Sequence, residues 1–131
     1  MMIRTLIRDE DVHPDLRWFA ASVLRTACDD LGLDEHRIDL RFFRERPDSD
    51  GLVTEGACAD GKSIFISDSL DVPAVVAVVA HESRHAQQHA RLGPTRGDAD
   101  RELREADAES YAARVMGILG FRRTTERNGH G

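Results

Sequence analysis

The stretch from Val72 to Leu92 carries Pro73 where a helix can begin and a Gly93-Pro94 pair where one has to stop. Inside it, Val75, Val76, Val78 and Val79 are β-branched and individually favour a strand. The continuation through Ala80 to Leu92, rich in Ala, Glu, Gln and Arg, is too long for a strand and decides for helix. Within this segment residues 81 to 85 read His-Glu-Ser-Arg-His. On a helix, residues four apart lie about 40° apart around the axis and roughly 6 Å along it, so two imidazoles can converge on one ion. On a strand the same pair would be separated by about 13 Å, far beyond the roughly 2 Å reach of a zinc–nitrogen bond.

The pattern HExxH has a chemical logic. His81 and His85 supply two metal ligands, and Glu82, beside the first of them, can take a proton from a metal-bound water. Zinc suits such a site because it polarises a carbonyl and acidifies bound water without redox side reactions. With 6 His and 9 Glu in the chain, an accidental HExxH has a probability of roughly 2% by independent draws.

A third protein ligand is needed, with a fourth position left open. On a helix running from about Asp98 to Leu119, Glu105, Ala108, Glu109 and Ala112 share a face, and the two alanines allow close approach to the metal helix. Glu105 is the favoured ligand, with Glu109 and Glu102 as rivals. If Glu105 binds, Glu109 can accept a hydrogen bond from a ligand histidine's other nitrogen. His89 continues the four-residue series, yet it lies about 12 Å along the axis from His81, so all three histidines cannot share one ion. A His85/His89 pair is the rival arrangement.

His81-Glu82-Ser83-Arg84-His85 followed by Glu105-Ala106-Asp107-Ala108-Glu109-Ser110-Tyr111-Ala112 resembles the two motifs of the gluzincin metallopeptidases. It is most similar to the minimal ones, the phage minigluzincins and the ImmA/IrrE-type proteases, whose second motif has the form E-x-x-A-x-x-[FY]-A. The likeness covers roughly residues 63 to 112. It implies a minimal zincin-like domain with zinc held by His81, His85 and Glu105, and with Glu82 as general base. It also implies that Ser63 to Ser67 is an edge strand beside the active-site helix, on which an extended peptide substrate would pair its backbone. Arg84 departs from the apolar or glycine residue common at its position, and no His or Tyr stands out to stabilise an oxyanion. Tyr111, about 240° around the helix from Glu105, reads as core.

The remainder of the chain fills in an α+β domain of three main helices and a small antiparallel sheet. From Pro14 to Leu31 apolar residues recur at three and four, and Gly32 is placed to end that helix. Ile38, Leu40 and Phe42 alternate with Asp39 and Arg41 as a half-buried strand, and a second strand is expected around Leu52 to Ala59. Asp60-Gly61 signals a tight turn into Lys62 to Ser67, which makes a hairpin. One domain over residues 1–121 with a flexible tail over 122–131 is the expected organisation.

Composition narrows the partners. A net charge of -6 gives no positive field for nucleic acid. Met1 to Asp11 lacks the features of a secretory signal, and the longest apolar run, Val72 to Ala80, is about half a membrane span, so a cytoplasmic protein is expected. Cys28 and Cys58 have no CxxC spacing and read as small buried apolar side chains. The favoured function is a zinc-dependent endopeptidase acting on a peptide or protein substrate, with a catalytically silent zinc-bound module for protein interaction as the alternative and a metal-free helical protein with an accidental motif as the third class.

Overall fold

The computed structural model describes residues 2–47, 56–57 and 61–120. Three helices carry most of it: α1 (Pro14–Leu31), α2 (Val72–Leu92) and α3 (Gly97–Leu119). Each is bounded by local chemistry. Asp71 accepts from the Ala74 N–H at 3.0 Å to start α2, and His13 Nδ1 does the same for α1 from Asp15 at 3.1 Å. Gly32 and Gly120 end α1 and α3 in the left-handed conformation, with φ of 71° and 80°.

Four strands, β1 (Met2–Ile7), β2 (Asp39–Pro47), β3 (Gly56–Ala57) and β4 (Ser63–Ser67), form one sheet in the order β1-β2-β4-β3. The α+β class with three main helices holds, but the sheet is mixed and not wholly antiparallel. β1 with β2 and β3 with β4 are antiparallel, whereas β2 and β4 run parallel, Asp39 opposite Ser63 through Phe43 opposite Ser67. The hairpin of β3 and β4 therefore docks on β2 by its second strand. Side-chain alternation fixes which face of a strand is buried and is silent about the direction of its neighbour.

That docking overturns the expectation that Ser63 to Ser67 is an edge strand. β4 is paired on both sides, along its length by β2 and at Phe65 and Ile66 by β3. Among the described residues, β1 and β3 are the outer strands.

α2 is the central element, in contact with α1, α3, β3 and β4. Val75, Val76 and Val79 are fully buried and pack in one cluster with Ile64, Ile66 and Phe42 from the sheet and Val23 and Leu24 from α1. Burial on all sides explains why a run with strand-like propensity is a helix: tertiary packing outweighs differences of roughly half a kcal/mol per residue. Cys28 is buried in the same cluster, and burial pushes its thiol up to about 11, as an inert apolar side chain requires. Cys58, the residues 58–60 of the tight turn and the tail at 122–131 lie outside the described residues.

Candidate metal centre

The site begins with α2's own turn, which puts His81 and His85 on one face with their rings edge to face and centroids 4.8 Å apart. α3 then runs antiparallel to α2: Ala80 clusters with Ala112, Arg84 meets Asp107 and Gln88 meets Arg104. Ala108 and Ala112 are almost completely buried, so the two backbones come close. Arg104, itself buried, donates to the carbonyls of Gly93 and Pro94 and so pins α3 to the end of α2. Its neighbour in sequence, Glu105, is thereby held opposite the histidines.

Three ligand-type atoms converge. Glu105 Oε1 lies 2.6 Å from His85 Nε2 and 3.2 Å from His81 Nε2, and the two imidazole nitrogens are 3.1 Å apart. Tetrahedral coordination with bonds near 2.05 Å requires separations of about 3.3 Å, so two edges of this triangle fit and the third must open by roughly 0.7 Å. The Glu105 side chain, 57% exposed, has the freedom to make that adjustment. Burial pushes the Glu105 carboxyl up, but the charge of His81 and the hydrogen bond and charge of His85 outweigh it and hold the group below its ordinary range. Two imidazoles and a carboxylate are a donor set suited to zinc.

Glu82 is buried, and that burial, with the charges of Glu105 and Glu109 adding and that of His85 opposing, pushes its carboxyl up to about 7. Among the described residues its carboxyl has no hydrogen-bond partner. Glu109 Oε2 stands 3.6 Å from His81 Nδ1, on the side of the ring away from Glu105 and too far for a hydrogen bond in this state. Glu102 is exposed, and His89 is outside the cluster. His89 packs instead on Gly61, where a Cβ would lie 2.7 Å from that side chain and where φ is +74°. Tyr111 is buried and donates to Asp30 Oδ2 of α1 at 2.9 Å, in keeping with a core role. Burial and the Asp30 bond raise its hydroxyl well above the ordinary range.

Two contributors, Arg84 and Gln88, were not readable from the motifs. Arg84 forms a two-pronged pair with Asp107 at 2.7 and 3.0 Å and lies 5.4 Å from the centre of the Tyr111 ring. Its departure from the motif is therefore a tether between helices. Gln88, also buried, accepts from His85 Nδ1 at 2.8 Å and donates to the Arg104 carbonyl and to Asp107, each at 2.9 Å. Its spacing of three from His85, on the same helix face, was the available signal.

No protein-family model matches this chain, and no curated protein or solved structure does either.

Proposed function

We propose that the protein is a zinc-dependent endopeptidase. The observation that carries this reading is the convergence of His81, His85 and Glu105 within 3.2 Å of one another beside a buried, uncommitted Glu82. His81 and His85 would hold zinc through Nε2 and Glu105 through a carboxylate oxygen. When bound, the ion supplies Lewis-acid polarisation of the scissile carbonyl and lowers the pKa of water towards neutrality. Glu82 takes a proton from the attacking water as its oxygen bonds to the carbonyl carbon. It returns that proton to the amide nitrogen as the carbon–nitrogen bond breaks. Because β4 is paired on both sides, an extended peptide would have to add to the outer side of β3 at Gly56–Ala57, or displace that strand.

The test is Glu82→Gln, which keeps size but cannot accept the proton. Zinc content should stay at one per chain while chelator-sensitive cleavage of denatured casein and of a peptide library, read by mass spectrometry, falls about 10²- to 10⁴-fold. Cleavage unchanged in the variant removes Glu82 from the mechanism.

A silent zinc-bound interaction module is the second reading. It is favoured by the covered β4 and by Tyr111, whose hydroxyl is committed to Asp30 and not to a substrate oxygen. A zinc-loaded wild type that binds an extended peptide without cutting it would support this reading over the first.

A further inference from the structure

We propose that Gln88 is the positioning residue that decides which nitrogen of His85 faces the metal. The inference rests on the metal reading for its consequence, though not for its geometry. A glutamine amide can present either its oxygen or its NH2 to a neighbour, and the surroundings choose. Here one end of the amide lies 2.9 Å from the Arg104 carbonyl oxygen and 2.9 Å from Asp107 Oδ2. Both are acceptors, and the Asp107 carboxylate is held by Arg84 through both of its oxygens. That end must be the NH2 group, since a flipped amide would set its oxygen against two acceptors inside a buried contact.

The other end, Oε1, then faces His85 Nδ1 at 2.8 Å. Two acceptor atoms at that distance need a proton between them, and only the imidazole can supply it. Nδ1 of His85 therefore carries a proton for Gln88, and Nε2 is left as the nitrogen turned towards His81 Nε2 and Glu105 Oε1, where a metal ion would sit. Gln88 is only 6% exposed, so water competes weakly for this bond. The chain from Arg84 through Asp107 and Gln88 to His85 thus converts an ion pair between two helices into the orientation of a ligand ring.

The experiment uses the full chain with ¹⁵N-labelled histidine, free of metal, at a pH above the histidine titrations. His85→Ala assigns the signal. Long-range proton–nitrogen correlations should show the Nδ1–H form of His85 in the wild type and its loss in Gln88→Met, which keeps volume and removes both hydrogen-bonding ends. Gln88→Glu retains an acceptor for Nδ1–H and should keep the wild-type pattern while lowering thermal stability. Zinc affinity, measured by competition with a chelating dye, should fall about 10- to 100-fold in Gln88→Met. A wild type whose His85 carries no proton on Nδ1 overturns the proposal, and this measurement stands even if a variant fails to fold. A Gln88→Met protein with unchanged tautomer and unchanged zinc affinity also overturns it and leaves the metal reading intact. Conversely, a wild type that shows the Nδ1–H pattern, lost in Gln88→Met, but takes up no zinc refutes the metal reading while the tautomer assignment stands.

Discussion

The two halves of α2 are both buried and are held in opposite ways. From Val75 to Ala80 every residue is apolar and at most 5% exposed, and the segment is held by shape against the sheet and α1. From His81 to Gln88 the helix buries His81, Glu82, Ser83, Gln87 and Gln88. Most of that polar half is held by named partners: Gln87 donates to the Leu31 carbonyl at 3.0 Å, Gln88 bridges to α3, and the histidines meet Glu105. Packing without direction tolerates exchange between side chains of similar volume, whereas a directional contact leaves an orphaned buried group when either partner is removed. One helix therefore divides into a segment that stabilises the fold and a segment that spends stability on holding a site.

The comparison can be tested most strongly through the metal. Zinc at a free concentration 100 times its dissociation constant should stabilise the wild type by about 2.7 kcal/mol, read as a shift in denaturant midpoint that a chelator reverses. His85→Ala should show no such shift, and a shift of equal size in that variant would detach the polar half from metal binding.

Next in size is Val79→Ala in the apolar half. Losing two buried methyl groups with only partial collapse should cost about 2 kcal/mol, while zinc affinity per folded chain stays unchanged. A variant that loses both together would show that the halves are not separable.

Asp107→Asn should have a smaller effect, about 1 kcal/mol, because the ion pair with Arg84 is partly exposed. The hydrogen bond from Arg84 holds the Asp107 carboxyl below the ordinary range, with a further one from Gln88 acting the same way against burial. A depressed folded-state value means the contribution is present above the unfolded carboxylate pKa of about 3.9 and is lost as pH falls through the lower folded value. Wild type and Asp107→Asn should accordingly converge in stability in that acid window, as urea midpoints measured from pH 6 downward would show.

The smallest effect has the opposite sign. Ser83 Oγ is buried with no hydrogen-bond partner among the described residues. Ser83→Ala should leave stability unchanged or raise it by up to about 1 kcal/mol, seen as a higher melting temperature. A loss instead would mean that the hydroxyl has a partner and belongs to the polar network.

How much of this was legible follows the range of the interactions. α1 and α2 match the bounds expected from periodicity, Pro73 and the glycines that follow them, and α3 begins one residue before its expected start. β1 was not legible: Ile7 is buried, yet Leu6 beside it is 53% exposed, and so short an alternation carries little signal. The pairing of His81 with His85 could be read because a helix fixes it within one turn. The tether made by Arg84 and the orientation of the Gln88 amide could not, because both are set by Asp107, some twenty positions away on another helix.

By itself the sequence determined a helix from Val72 to Leu92 that carries two histidines and a glutamate on fixed faces, since the i to i+4 geometry, Pro73 in the first turn and the Gly93-Pro94 stop are local. It also narrowed the third acidic group to a few glutamates on one later helix. Only the tertiary structure brought Glu105, and not Glu102, to both imidazoles, because the antiparallel seating of α3 on Ala108 and Ala112 sets that register. Strand pairing was likewise decided in three dimensions: β4 lies between β2 and β3, with its buried isoleucines, Ile64 and Ile66, packed under α2, and a central position pairs the strand on both sides.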